Sequence, residues 1–355
     1  MKTLLKRVFV TLLVLSLLLS AAPQLFGTLV RATADSVAAG SNEVFPDMKI
    51  GVMSDLHFQV AEGTAEKTVP AMLEQYKADK VNVIMITGDI GYACEAAEYE
   101  KFWAAWNSVF PDKETAPELL VISGNHEFDR AVFGKESYED AINRYMTVFG
   151  LTELNQHKVV NGYHFIGLNS EDESTHGKYS ETTTTWLKAQ LEAAVADNPN
   201  LPIFVTAHQP LPNTTYGSEW GGKNTSALYD VLKDYPQVVY FAGHSHYASE
   251  SERSIYQDAF TCVDVTSLNY MSLEDGNYGY QSQGALLVTI DGASKQMVID
   301  RYKINNDATG ALIAENPVVK IKQPWTLNLP LKQSEFTYTA ARAEGRAAHH
   351  DDGFL

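Results

Sequence analysis

The sequence predicts one large α/β domain, in which short buried strands alternate with helices. Short apolar runs rich in β-branched residues recur along the chain, and stretches of helical character separate them. Several of these runs end in polar side chains, at the position where open α/β sheets bind their ligands. The length of 355 residues and the hydrophobic content of 45% suit one such domain with a leader and a tail.

Residues 1–34 are typical of a secretory signal peptide. Basic residues precede a long apolar run over 8–19, and Ala32-Thr33-Ala34 offers a cleavage site. Cleavage would release a secreted protein, whereas an uncut leader would anchor the protein at the cell surface. Pro23 interrupts the apolar character, which favours a signal peptide over a spanning helix. Residues 35–47 are small and polar, and we predict a linker there.

The elements of the first half follow from hydrophobic periodicity and turn signals. Strands are predicted at 48–53, 81–87 and 118–122, and helices at 64–80, 95–110 and 136–149. Gly150 is expected to end the third of these helices in the left-handed conformation. Residues 157–169 alternate apolar and polar positions, as an antiparallel strand pair would. A further helix is predicted over 180–197, with Ser180 as its N-cap.

The second half continues with strands and ends in a polar tail. Strands are predicted at 202–206 and 238–241, with a short helix over 225–234 between them. Strand-like segments follow, and we predict that they form the second sheet of a sandwich. These segments are 254–265, 284–290 and 296–302. Residues 340–355 are small and charged, which is typical of a disordered terminus.

The net charge argues against a nucleic-acid-binding protein, which needs a basic surface. The formal charge is −17, and removing the leader would lower it to about −21, because the leader carries four basic residues and no acid. A bound cation can still attract an anionic substrate to an acidic protein. We therefore examine whether the sequence contains metal ligands. The two cysteines, Cys94 and Cys262, could form one disulfide. We favour two separate buried thiols, since a domain of this size needs no disulfide.

Five predicted strands end in residue types that commonly bind metal ions. These residues are Asp55 and His57, Asp89, Asn125 and His126, His208, and His244 and His246. Half of the ten histidines therefore lie at these ends. For the others we predict no role: His157, His164, His176, His349 and His350. Carboxylate, imidazole and amide ligands without thiolate suit Mn, Fe or Zn, and suit neither a structural zinc cluster nor calcium.

Two metal ions are expected, because seven ligands are too many for one ion that keeps an open position. Asp89 stands alone at its strand end and is the natural bridge. Two such ions hold the attacking and leaving oxygens of an in-line displacement, and they lower the pKa of a bridging water, whose hydroxide is then the nucleophile. His126 directly follows Asn125, and we predict that it is a general acid rather than a ligand.

The ligand blocks resemble those of the calcineurin-like metallophosphoesterases in order and spacing over residues 48–305. The blocks are Asp55-Leu56-His57, Gly88-Asp89, Gly124-Asn125-His126-Glu127, His208 and Gly243-His244-Ser245-His246. The resemblance implies a four-layer sandwich of two mixed β-sheets flanked by helices, with the metals at strand carboxyl ends. It assigns one metal to Asp55, His57, Asp89 and His246, and the other to Asp89, Asn125, His208 and His244. Residues 306–355 would then be a C-terminal extension, partly disordered.

The sequence departs from two branches of that family near Tyr92. Protein-phosphatase members have an aspartate at this position, which orients the catalytic histidine, so Glu127 is our candidate for orienting His126. The block over 88–92 resembles the purple acid phosphatases, in which the tyrosine binds iron. Those enzymes have glycine where His57 stands, so we expect Tyr92 to line the pocket instead. Three further candidates could cover the cleft: Tyr216, Trp220 and the segment 172–179.

The predicted function is therefore the hydrolysis of a small phosphomonoester or phosphodiester by a secreted or cell-surface enzyme with two metal cofactors. One alternative is a specific phosphodiesterase or nucleotidase. Another is a non-catalytic surface module that binds a partner and retains the fold. We expect no obligate protein partner, and no membrane association beyond the leader.

Overall fold

The computed structural model describes residues 44–221, 224–273, 276–307 and 309–339. The predicted signal peptide, most of the predicted linker and the tail after residue 339 lie outside these ranges. All the described strands and helices fall in the unit that starts at Phe45. Within the described ranges, no helix has both the length and the apolar character needed to cross a bilayer.

The strands have the following bounds. They are β1 (Met48–Met53), β2 (Val83–Ile86), β3 (Glu118–Val121), β4 (Gln156–Val160), β5 (Tyr163–Gly167), β6 (Ile203–Thr206), β7 (Val238–Ala242), β8 (Ile255–Gln257), β9 (Thr261–Asp264), β10 (Met271–Ser272), β11 (Tyr278–Gly279), β12 (Gly284–Asp291), β13 (Gln296–Ile304) and β14 (Val318–Asn328).

The α-helices are mostly those that the periodicity predicts, with ends that differ by a few residues. They are α1 (Ala65–Asp79), α2 (Ala96–Val109), α3 (Asp129–Val132), α4 (Tyr138–Phe149), α5 (Glu181–Asp197), α6 (Ser218–Gly221) and α7 (Ser226–Leu232). Helix α4 begins after Ser137, whose side chain accepts a hydrogen bond from the Asp140 N–H. It ends at Gly150, which has the expected left-handed conformation. Ser180 caps α5 as predicted.

Two six-stranded mixed sheets form the centre of the fold, which confirms the predicted fold class. The first has the order β14-β13-β12-β1-β2-β3, and the second has the order β4-β5-β6-β7-β9-β8. In the first sheet β1, β2 and β3 are parallel, and in the second β5, β6, β7 and β9 are parallel. Strands β2, β6 and β7 are buried throughout, which explains their continuous apolar sequences.

Three clusters of buried apolar side chains hold the layers together. The cluster between the sheets joins Ile50 and Leu286 of the first sheet to Phe204 and Phe241 of the second. Helices α1, α2 and α4 cover the outer face of the first sheet, and α5 and α7 cover the outer face of the second. The aromatic residues of α2, including Phe102, belong to the first outer cluster, so they are core residues. The result is four layers in the order helix, sheet, sheet, helix.

The structure corrects one prediction about the strands. The segments 284–290 and 296–302 do not form the second sheet, because β12 pairs with β1 and β13 pairs with β12 in the first. The segment 254–265 does lie in the second sheet, but it turns back on itself as the antiparallel pair β8 and β9. The first sheet also gains β14, for which the sequence analysis predicted no strand.

Candidate dinuclear metal centre

The carboxyl ends of five parallel strands deliver all seven predicted ligands to one region. Two buried groups of ligand atoms form there, each with all its atoms within 4.8 Å of one another. The first group is Asp55, His57, Asp89 and His246, and the second is Asp89, His208 and His244. Asn125 joins the second group, because its Oδ1 lies 3.2 Å from the Nε2 of His208. Asp89 therefore belongs to both groups, as expected of a bridging carboxylate.

The distances within the groups are short. The Nε2 of His246 lies 3.0 Å from Oδ1 of Asp55 and 3.2 Å from the Nε2 of His57. In the second group, the Nε2 of His208 lies 3.1 Å from Oδ2 of Asp89. The nitrogen and oxygen atoms of each group are thus close enough to bind one ion, and the Asp89 carboxylate belongs to both groups.

Five of the seven residues have left-handed backbone conformations, which non-glycine residues adopt rarely. They are Asp55 (φ 52°), His57 (φ 47°), Asp89 (φ 52°), His244 (φ 67°) and His246 (φ 55°). Such conformations cost of order 1–3 kcal/mol each and concentrate at functional sites. Neighbouring glycines make the close approach of the loops possible. A Cβ atom on Gly124 would collide with the Asp89 carboxylate, and one on Gly243 would collide with Ser54 and Asp55.

The electrostatics of the cluster fit a bound cation. In the described part of the chain, every ion-pair partner of Asp55 and Asp89 is a histidine. Burial raises the pKa of Asp55, but the charge and hydrogen bond of His246 outweigh burial and lower it to about 2. Burial and the charge of His126 lower the pKa of His57 well below its usual value. Charged carboxylates and a neutral imidazole are the donors that Mn, Fe or Zn ions require.

Backbone carbonyls fix the histidine rings in the orientation that metal binding needs. The Nδ1 of His208 lies 2.7 Å from the Thr87 carbonyl, and the Nδ1 of His246 lies 2.8 Å from the Tyr270 carbonyl. A ring that donates its Nδ1–H to a carbonyl presents the lone pair of Nε2 to the cluster. The residues present therefore fit a dinuclear centre.

Glu127 does not orient His126, so that prediction is wrong. Its buried carboxylate instead accepts hydrogen bonds from four donors of the ligand loops. These donors are the N–H groups of Asp89 (3.0 Å), Ile90 (3.0 Å) and Gly124 (2.5 Å), and the thiol of Cys94 (2.7 Å). Burial and the charge of Asp89 raise the pKa of Glu127 to about 7, while the Cys94 and Gly124 bonds favour its charged form. Glu127 thus connects the loop that carries Asp89 to the loop that carries Asn125.

Asp129 is the carboxylate that contacts the His126 ring, and it was not among the residues predicted from the sequence. The Nδ1 of His126 lies 2.8 Å from Oδ2 of Asp129 and 2.6 Å from the Tyr92 carbonyl. Burial lowers the pKa of His126, but Asp89 and the hydrogen bond to Asp129 outweigh burial and raise it to about 10. The signal in the sequence was a carboxylate three residues after the histidine, a spacing that places both on one side of a helical turn.

Two tyrosine rings line the first group. The Tyr92 ring lies 5.2 Å from the His126 ring and 6.0 Å from the His57 ring, measured between centroids. The Tyr270 ring lies 4.3 Å from the His246 ring. These contacts support the expectation that Tyr92 lines the pocket, and its role as a ligand stays an untested alternative.

The three predicted candidates for covering the cleft, and the two cysteines, have different outcomes. Tyr216 is buried, stacked on Tyr247 with 3.9 Å between ring centroids, and therefore packs as a core residue. The side chain of Trp220 lies outside the described residues. The segment 172–179 does reach the site through His176, whose ring lies 6.3 Å from that of His244. Cys94 and Cys262 are free and buried, which confirms the prediction of two thiols.

Two mixed sheets with aspartate and histidine side chains gathered at their strand ends define a metallophosphoesterase fold. The family profile of the calcineurin-like phosphoesterases matches residues 48–248, which is more than half of the chain. The chain belongs to the calcineurin-like phosphoesterase family. No curated protein matches the sequence significantly.

Two solved structures share the fold at low sequence identity. A dimetal phosphatase from Danio rerio is 14% identical, with 72% of this chain and 96% of that chain covered and a TM-score of 0.50. GAP50, described as the anchor in the inner membrane complex of Plasmodium, is 15% identical, with 81% and 89% covered and a TM-score of 0.52. At these identities the likeness shows the fold alone.

Proposed function

We propose that this protein hydrolyses small phosphate esters, monoesters or diesters, with the help of two metal ions. The observation that carries the proposal is the pair of buried ligand groups that share Asp89, with His126 beside them. Asp55, His57, Asp89 and His246 would hold one ion, and Asp89, Asn125, His208 and His244 the other. When bound, such ions neutralise phosphoryl charge and supply a water of lowered pKa as the nucleophile.

His126 is the residue that donates a proton to the leaving group in this proposal. Its backbone N–H donates to Oδ1 of Asp89 at 2.9 Å, which fixes the residue relative to the bridging carboxylate. Its Nδ1 is held by Asp129 and the Tyr92 carbonyl, so Nε2 is the nitrogen left to transfer the proton. The carboxylate and the carbonyl both favour the protonated ring, which a general acid requires.

The predicted leader supports an extracytoplasmic location, and the acidic composition supports a small-molecule substrate over a nucleic acid. A net charge of −17 disfavours nucleic acid as a partner. We therefore propose a small phosphate ester as substrate, in a secreted or cell-surface location. Membrane contact, where it occurs, would come through residues 1–34.

A comparison of two aryl phosphate esters tests the proposal. Purified protein is stripped with a chelator, reloaded with Mn²⁺ and assayed with p-nitrophenyl phosphate and with bis(p-nitrophenyl) phosphate. We expect metal-dependent turnover of at least one ester, and a preference above about a hundredfold would assign the mono- or diesterase class. The variant His126→Ala should keep its metal content and lose about 10²–10⁴-fold in kcat.

The second candidate is a non-catalytic binding module, and one observation favours it. GAP50, which has a similar fold, is described as the anchor in the inner membrane complex of Plasmodium. Metal-loaded protein that turns over neither ester, at any pH between 5 and 9, would favour this candidate. Normal turnover by His126→Ala would keep the enzyme but remove His126 as the general acid.

A further inference from the structure

His176, to which the sequence assigned no role, is brought next to the second ligand group by a loop. The loop covers residues 170–179, between β5 and α5. The rings of His176 and His244 meet edge to face, with 6.3 Å between centroids and 87° between planes. His244 in turn lies 5.0 Å from His208, centroid to centroid. The site therefore has a third kind of imidazole, neither a predicted ligand nor the predicted acid.

The loop is fixed by its own hydrogen bonds and by Gln209. The Glu171 N–H donates to the Lys178 carbonyl at 3.0 Å, which closes the loop. Gln209 is 1% exposed and directly follows the predicted ligand His208. Its Nε2 donates to the Thr175 carbonyl at 3.1 Å, and its Oε1 accepts from the Tyr179 hydroxyl at 2.9 Å. The position of His176 is thus tied to the end of β6.

Gly177 shows why the loop can approach so closely. It has a left-handed φ of +69°, and a Cβ atom there would lie 2.7 Å from the Oε1 of Gln209. Only glycine fits both constraints. From the other side, the Nδ2 of Asn224 donates to the Gly177 carbonyl at 3.1 Å. Gly177 is therefore held on two sides. Because it directly follows His176, this restricts the positions that the imidazole can take.

We propose that His176 is a substrate-binding residue that donates a hydrogen bond to a non-bridging phosphoryl oxygen. The proposal rests on the proposed function. His126 contacts His57 of the first group, with 4.7 Å between centroids, whereas His176 contacts His244 of the second. A phosphoryl group bound at both groups has more oxygens than the two ions and His126 occupy. An imidazole N–H at the second group supplies a donor for one of them.

Binding of inorganic phosphate tests the proposal independently of turnover. Mn-loaded wild type, His176→Ala and His176→Asn are titrated with phosphate by calorimetry, and their metal content and thermal unfolding are measured in parallel. We expect His176→Ala to bind phosphate about 5–50-fold more weakly, with a matching rise in KM for the better ester. His176→Asn, which keeps an N–H donor, should recover part of the loss, and metal content should not change.

His157→Ala is the matched control. His157 is a half-buried histidine on β4 that contacts Gln190 of α5 and His164 of β5. It should leave phosphate affinity unchanged. Unchanged phosphate affinity in His176→Ala would overturn the proposal, and so would loss of Mn²⁺, because that result would make His176 a support for His244. If wild type binds phosphate but hydrolyses no ester, the proposed function fails while this proposal is still tested.

Discussion

Five of the seven proposed metal ligands have a strained backbone conformation. Asp55, His57, Asp89, His244 and His246 all have positive φ values, although none is glycine. Aspartate and histidine tolerate this conformation better than most residues, but it still costs energy. Hydrogen bonds between loops maintain it, for example that from the His244 N–H to Oδ2 of Asp55 at 3.1 Å. The strain is therefore local to the residues that gather around the two groups.

Asp129→Asn tests how His126 is oriented. Loss of the carboxylate removes a charged partner from the Nδ1 of His126, and we expect kcat to fall about 10–100-fold with KM nearly unchanged. Because Asp129 helps to raise the pKa of His126, its loss should also lower that pKa. A general acid works only when protonated, so the decline of kcat at alkaline pH should begin at a lower pH.

The control for this experiment is Asp230→Asn, an exposed aspartate that pairs only with Lys233 on the described surface. It should match the wild type in kcat and in its pH profile. Identical profiles for Asp129→Asn and the wild type would show that the Tyr92 carbonyl alone orients the ring.

Glu127→Gln tests the connection between the ligand loops. A glutamine side chain has one oxygen and one NH₂ group, so it cannot accept from all four donors that Glu127 now satisfies. We expect metal affinity to fall about 10–100-fold and the free energy of unfolding to fall by about 1–3 kcal/mol. Metal titration and denaturant unfolding would measure the two effects. Among the described residues, the Glu136 carboxylate forms its ion pairs with Arg130 and Arg144, so Glu136→Gln should leave metal affinity unchanged.

At the scale of elements, an ion-pair cluster fixes the segment that follows His126. Glu136 lies between α3 and α4 and receives two hydrogen bonds from Arg144, at 2.6 Å and 2.7 Å. It also receives one from Arg130 of α3 at 3.3 Å. Arg144 further donates to the Cys94 carbonyl at 2.9 Å. The short α3, which carries Asp129, is thereby joined to the long α4.

The stability contribution of this cluster should depend on pH. Hydrogen bonds from Arg144, together with the Arg130 charge, lower the pKa of Glu136 below its ordinary value of 4.5. A lowered pKa in the folded state means that the contribution is present above pH 4.5 and is lost as the pH falls through the folded pKa. Glu136→Gln should therefore cost about 1–2 kcal/mol at pH 7, and progressively less in acid. Denaturant unfolding at several pH values would measure this, and a pH-independent cost would contradict it.

The sequence pattern predicted most elements, but it assigned β12 and β13 to the wrong sheet and did not predict β14. Strands with continuous apolar sequence, such as β2 and β6, were recognised because burial on both faces leaves a strong signal. The partners of β12 and β13 depend on contacts far apart in sequence, which periodicity does not report. Strand β14 was missed because Lys320, Lys322 and Gln323 interrupt it and Pro324 follows, at the irregular pairing opposite 299–301. The local sequence pattern thus identifies a strand more readily than it identifies the strand that pairs with it in the sheet.

At the scale of the whole molecule, metal binding should stabilise the fold. Asp55 and Asp89 are both buried within one cluster, where their charges repel each other, and a cation relieves that repulsion. A cation at a hundredfold excess over its Kd adds about 3 kcal/mol if it binds only the folded state. We therefore expect Mn²⁺ to raise Tm by several degrees over chelated protein. The variant Asp89→Asn should lose most of that increase, and an equal increase in it would place the stabilising ion elsewhere.

The sequence predicted those site residues that directly follow a buried strand. Residues such as Asp55 and His208 follow directly from buried strands, so their convergence could be expected. Asp129 and His176 could not be found this way, because each reaches the site from a loop or a short helix. Glu127 was given the wrong partner, since adjacency in sequence to His126 does not fix which way a side chain points. A role that depends on loop conformation can be assigned only once the three-dimensional structure is known.

The single carboxylate that both ligand groups share has a consequence for how the centre assembles. Because Asp89 contributes to each group, an ion held by one group would partly neutralise a donor that an ion in the other group also needs. The two occupancies would then be thermodynamically linked, and each ion would change the affinity for the other by the same factor. The affinity measured for one ion should therefore depend on whether the other position is already filled.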